Sequence, residues 1–352
     1  MPIQAHPTRT KARWSTPPPR PSASPHAQPY LRRRPETTTL HRIVREHLET
    51  YLALANEADP MGDGVPDHLE KEFRSYLKCG ILAHGFARAR CSSCGYDFLV
   101  AFSCKGRGVC PSCNAKRMAE TAAHLVDHVI PHVRVRQWVL SVPKRLRPFL
   151  HHRPRTASAV LHILLRALQA TLREACPTAP STASFGAVSF LHRFGSSLNP
   201  HFHYHLCVVD GLFERVEGDT DPDPAIPETS LHFHEATGLT HELLEGLQHT
   251  IRSRVLRHLR RHGLLEPHDV RDMLSWDHGG GFSLDASVRI EATDRTGLER
   301  LIRYCARPPF ALDRLHLVDG RSDQILYLLS GPDPSGRTAL RLSALEFLDR
   351  LA

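Results

Sequence analysis

Apolar and polar positions along this chain keep two rhythms, one near 3.6 residues and one of two, and these divide it into helices and strands. From His41 to about Glu57, Ile43, Val44, His47, Leu48, Tyr51, Leu52 and Leu54 recur at helical spacing, and a second helix is predicted over Asp67 to Leu77. Ala115 to Val129 reads as another helix, ended by Pro131, and Thr156 to Glu174 as a long one with an apolar stripe. Period two marks the β-like run Arg136 to Val142, closed by Pro143, and the strands Gly186 to Phe194 and Phe202 to Phe213. The turn-rich segment 195–200 between these two strands predicts a hairpin. Asp, Pro and Glu dominate 217–230, which reads as a solvated loop, before a basic amphipathic helix from His241 to about His262. Gly279 to Gly281 lead into an alternating strand, Phe282 to Ile290. Thr296-Gly-Leu-Glu299 matches the capping-box pattern and opens a helix striped by Leu298, Leu301, Ile302 and Cys305, which Pro308 and Pro309 stop. The interleaving predicts an α+β fold, without internal repeats.

The alternation carries chemistry in one place. Between Asn199 and Val209, His201, His203 and His205 share one face of a strand, while Phe202, Tyr204 and Leu206 line the other. Same-face neighbours stand about 6.6–7 Å apart along a strand, close enough for two imidazoles to share a divalent ion. His201 and His205, roughly 13 Å apart, cannot share one. An adjacent pair is therefore the candidate metal grip, and a zinc hydrolase using all three on one ion is excluded if the segment is a strand.

Composition narrows the partners. The 352 residues suffice for two or three domains, and 45 Lys+Arg against 37 Asp+Glu give a formal charge of +8, which suits a polyanion such as nucleic acid. No apolar run reaches the ~20 residues of a membrane span, and the N-terminus lacks the apolar core of a secretion signal. A cytoplasmic, nucleoid-associated protein is expected. Residues 1–38 hold nine of the 27 prolines and read as a disordered basic arm.

Six of the nine cysteines fall between Cys79 and Cys113, an arrangement suited to metal rather than to disulfides. Cys91-x2-Cys94 and Cys110-x2-Cys113 have the spacing of a four-thiolate structural zinc site with no open position. Cys79, His84 and Cys104 are candidates for a second or alternative site. Lys105, Arg107, Lys116 and Arg117 decorate this module as candidate DNA-phosphate contacts. Tyr304, on the flank of the last predicted helix, is a candidate nucleophile; a phenol becomes an effective one when a neighbouring metal or base favours its phenolate.

Taken together, Leu198-Asn-Pro-His-Phe-His-Tyr-His205, the segment from Cys91 to Cys113, Trp138-Val-Leu-Ser-Val-Pro143 and Arg303-Tyr-Cys-Ala-Arg-Pro-Pro309 resemble the transposases of insertion-sequence family ninety-one. These belong to the HUH endonucleases, named for a His-hydrophobic-His strand, and the resemblance runs from about Arg32 to the C-terminus. It implies a zinc-binding, helical N-terminal module followed by a ferredoxin- or RRM-like antiparallel sheet with helices on one side. It further implies that His203 and His205 hold catalytic magnesium or manganese, leaving His201 as an outer-shell residue or reserve ligand; a further protein ligand is expected, for which His192, on the partner strand of the predicted hairpin, is the candidate. Tyr304 would attack single-stranded DNA, leaving a 5′-phosphotyrosine and a free 3′-hydroxyl for rolling-circle transposition.

The expected domains are thus the arm 1–38, a helical and zinc-binding DNA-binding module 39–133, and the catalytic domain 134–352 with an insertion-like loop and helix at 215–275. Relatives with two tyrosines carry them four residues apart, whereas position 308 here is proline, so the chain resembles the single-tyrosine branch. Relatives also continue with a basic tail beyond the segment resembling 345–352, which admits an inactive, truncated remnant. The other rival is a non-catalytic zinc-ribbon DNA-binding protein.

Overall fold

A computed structural model describes residues 32–58, 64–93, 95–106, 108–217, 229–333 and 335–352. The predicted arm therefore lies outside the described residues as far as 31; its end forms a helical turn at Pro35–Thr37, where Arg32 pairs with Glu36 at 3.1 Å. The first two helices follow as α1 (Thr39–Ala58) and α2 (Asp67–Lys78). A two-stranded ribbon, β1 (Phe86–Arg90) and β2 (Asp97–Ala101), leads to α3 (Pro111–His124), which ends in a π turn at Leu125–Val129. Arg295 tightens that turn by donating to the carbonyls of Val126 and Ile130.

The next segment builds a five-stranded antiparallel sheet. After β3 (Val135–Ser141) come α4 (Arg147–His152) and α5 (Pro154–Ala175), then the hairpin of β4 (Ala187–Phe194) and β5 (Pro200–Val209). The strand predicted over Phe202 to Phe213 breaks at Asp210, whose buried carboxylate takes two bonds from Arg136, each 2.9 Å. Past that break, β6 (Gly211–Glu217) leaves the sheet to pair with β7 (Thr229–Glu235). Of the loop predicted at 217–230, residues 218–228 lie outside the described set. The basic helix appears as α6 (His241–Arg261), followed by α7 (Pro267–Ser275). The strand predicted over Phe282 to Ile290 is realised in two pieces, β8 (Ser283–Asp285) and β9 (Arg289–Ile290), both pairing with β3. The sheet order is β4-β5-β3-β8, with β9 also on β3.

Alternation on β5 sends Phe202, Tyr204, Leu206 and Val208 into a core with Trp138 and Leu140 of β3, under α5 and α6. Tyr204 is buried there, and its hydroxyl donates to the carbonyl of Ala157 at 2.8 Å. The opposite face is not left bare, as helices on one side alone would leave it. Val135 and Cys207 are apolar there, and they are covered by the end of α3 and by α8 (Arg295–Cys305) through Leu125, Leu298 and Ile302. Only the histidine half of that face stays open. The cap of α8 is Asp294 rather than the predicted Thr296: its carboxylate accepts from the Gly297 amide at 2.7 Å.

The chain ends with β10 (Leu315–Val318), β11 (Arg321–Leu328), β12 (Ala339–Ser343) and α9 (Ala344–Leu351). These pack on α1 and α2, not on the five-stranded sheet. Ile43, Leu48 and Phe73 share one core with Ile325, Tyr327 and Phe347, and Leu198 from the β4–β5 turn plugs into it. As a packing unit, the segment expected to run to 352 thus gives its last forty or so residues to the N-terminal helices. Among the described residues, no helix is long and apolar enough to cross a membrane.

Candidate active site and metal centre

Four thiols converge where α2, β2 and α3 meet: Cys79, Cys104, Cys110 and Cys113. Sγ separations are 3.6 Å for Cys79–Cys113, 3.5 Å for Cys104–Cys113 and 3.7 Å for Cys79–Cys110. Four thiolates about 2.3 Å from a central zinc ion stand roughly 3.8 Å apart, so the cluster has the size of a closed tetrahedral site. Backbone amides of Cys104 and Gly106 point at the sulfurs of Cys79 and Cys104, each at 3.3 Å. Cys110 caps α3 and Cys113 lies in its first turn, where the helix dipole favours thiolate. The neighbouring Cys104 thiol, before other causes, draws Cys79 down to about 6.

This cluster differs from the ligand set read from spacing. Cys110 and Cys113 belong to the cluster, but Cys91 does not, and Cys94 lies outside the described residues. Ribbon geometry is the reason. Cys79 and Cys104 flank the base of the β1–β2 ribbon, whereas Cys91 follows its tip, five strand residues or about 17 Å away. The Cys91 sulfur sits 2.9 Å from the Ser93 hydroxyl. Of the candidate phosphate contacts, Lys116 is exposed and pairs with Glu120 at 3.5 Å, and Arg117 donates to the Lys105 carbonyl at 3.0 Å. Arg107 lies outside the described residues.

The second cluster is His192, His203 and His205. Register explains it: His192 pairs with His203 across the β4–β5 hairpin, and both side chains leave the sheet on the face that carries His205. His201 is not in the cluster, although its ring lies 4.8 Å from that of His203. Burial, before the nearby charges, lowers His205 to about 3 and His192 to about 4, and it lowers His203 as well, so all three are neutral imidazoles at neutral pH.

Their outward hydrogen bonds select the free nitrogens. His203 donates from Nδ1 to the His201 carbonyl at 2.8 Å, and His192 donates from Nε2 to the Cys305 carbonyl at 2.6 Å. Nε2 of His203 and Nδ1 of His192 thereby keep their lone pairs. Nε2 of His205 is buried and, among the described residues, has no partner; its Nδ1 lies 2.9 Å from the side-chain amide of buried Gln137, which, turned to accept through its oxygen, leaves that Nε2 its lone pair. An orphaned buried nitrogen beside two further free ones, with one ring nitrogen of each histidine within 4.8 Å of the others, fits a divalent ion.

Tyr304 comes to this cluster from α8. Its ring stands edge-on to that of His205 at 5.6 Å between centroids, and the side chain is 46% exposed. Both line a cleft of about 600 Å³ with His201, His203, Gln137, Ser141 and Asp285. The chain thus brings together Tyr304, His203 and His205, with His192 behind them, while His201 lines the wall. Gln137 and Asp285 are the wall residues that the motifs did not single out. Period two within Arg136 to Val142, which puts Gln137, Val139 and Ser141 on one face, is the signal that could have found the first.

Residues 43–142 match the family model of the transposase zinc-binding domain of insertion-sequence family ninety-one, and residues 186–352 match that of a transposase. No curated protein and no solved structure matches the chain.

Proposed function

Because the chain belongs to the transposases of insertion-sequence family ninety-one, enzymes that cut and join DNA, we propose that its cleft is an HUH nuclease centre acting on single-stranded DNA through Tyr304. The observation that carries this reading is the approach of Tyr304 to His205 in a cleft whose three clustered histidines are neutral and keep free ring nitrogens.

His203, His205 and His192 would hold a magnesium or manganese ion, which supplies polarisation of the scissile phosphate and neutralises its developing charge. The chain's own contribution is placement. Exposed Tyr304 reaches the phosphorus with Oη, the bond from phosphorus to the 3′ oxygen breaks, and the phenolic proton passes through solvent to the departing oxygen. The products are a 5′-phosphotyrosine and a 3′-hydroxyl. The link keeps the phosphodiester bond energy for rejoining, which suits rolling-circle transfer of one strand. Zinc on the four thiols has a structural role, and Lys105, Arg107, Lys116 and Arg117 are the proposed grip on flanking DNA phosphates.

The test uses random-sequence single-stranded oligonucleotides, labelled at either end, with manganese. A 3′ label should stay on the denatured protein and a 5′ label should leave, and Tyr304→Phe should abolish retention. No adduct with the intact protein, or an undiminished one with Tyr304→Phe, rejects the mechanism and favours a DNA-binding protein without chemistry.

A further inference from the structure

Beyond the tyrosine and the histidines, the cleft has an uncommitted cation at its mouth. The guanidinium carbon of Arg307 lies 4.2 Å from the centroid of the Tyr304 ring. Arg307 is exposed and, among the described residues, has no carboxylate partner. Arg303, on α8, is instead tied to Glu299 at 2.7 Å. The position is also held. Arg307 follows the end of α8 and precedes Pro308 and Pro309, so its backbone is confined to extended conformations. Buried Phe310 anchors the next turn of chain in the second core.

A guanidinium resting on an exposed aromatic face is weakly held. A phosphate offers a stronger, two-pronged partner. A phosphorus bonded to Oη would sit just beyond the ring edge, within the swing of the same side chain. Resting on the reading of Tyr304 as nucleophile, we propose that Arg307 binds the non-bridging oxygens of the scissile phosphate, first as a DNA diester and then as the phosphotyrosine. Arg307 leaves the ring face for the phosphate as the bond forms, and it holds the same oxygens when the 3′-hydroxyl returns in rejoining.

The test compares the intact protein with Arg307→Ala, Arg307→Lys and Arg257→Ala, the last removing an equal charge from an exposed position on α6, across the sheet from the cleft. The readout is the rate of covalent adduct formation on 3′-labelled single-stranded oligonucleotides with manganese. Arg307→Ala should slow it about 100-fold, as the loss of one oxyanion donor does. Arg307→Lys should fall between, and Arg257→Ala should match the intact protein. Millimolar guanidinium should restore part of the Arg307→Ala rate, a rescue that a purely structural role would not give. An Arg307→Ala rate within twofold of the intact protein, or an equal loss in Arg257→Ala, overturns the proposal while the tyrosine reading stands. Absence of any adduct in the intact protein overturns both.

Discussion

Single residues decide which metal ligands are real. Replacing Cys79 by Ser should cost the protein the zinc of the thiol cluster, because the remaining three sulfurs no longer close a tetrahedron. Replacing Cys91 should leave that ion in place, a difference that native mass spectrometry of the two variants reads directly. The motif spacing set Cys110 and Cys113 with Cys91 and Cys94, whereas the cluster among the described residues joins them to Cys79 and Cys104. Fifteen intervening residues describe a separation along the chain, whereas the ribbon folds that separation back on itself and brings Cys79 and Cys104 to the sulfurs instead. The histidine strand was more legible, since period two fixes a face without knowledge of any partner. His192 could be reached only through the hairpin, whose register sets it opposite His203. Gln137 carried no motif, and its place beside His205 depends on β3 lying next to β5.

At the scale of elements, the placement of Tyr304 rests on α8, a helix of 11 residues that is clamped at its start by Asp294. Gly297 makes that clamp possible, for a Cβ there would come within 2.0 Å of the Asp294 carboxylate. Asp294→Ala should therefore lower stability by about 1 kcal/mol, measured as a shift of the urea midpoint. Long periodic elements such as α1, α5 and α6 were readable to within a few residues, because their stripes face a core over several turns. Breaks were not. The split at Asp210 comes from a charge pair with Arg136, a partner 74 positions away. β10 and β12 alternate over only 4 and 5 residues and β11 ends in the continuous run Ile325 to Leu328, so no long period marks them, and they are covered by α1 and α9.

Across the whole molecule, the described residues form three cores: one between the sheet and α5 and α6, a second joining the two ends of the described chain, and a third between the sheet and α8. Phe347 is fully buried in the second, against Phe310 at 5.9 Å between ring centroids. Phe347→Ala should cost about 3–5 kcal/mol. Hydrogen exchange should then quicken in α1 and α9 and leave α5, which belongs to the first core, protected. The joining of the ends also sets a schedule for synthesis. His47 of α1 meets Ser322 of β11 at 3.0 Å across 275 positions of sequence. At about 5–20 residues per second on the ribosome, the apolar stripe of α1 waits tens of seconds for the strands that cover it. During that wait the sheet bearing the histidines has everything it needs to close, so the newborn chain shows an uncovered amphipathic helix upstream of a finished sheet.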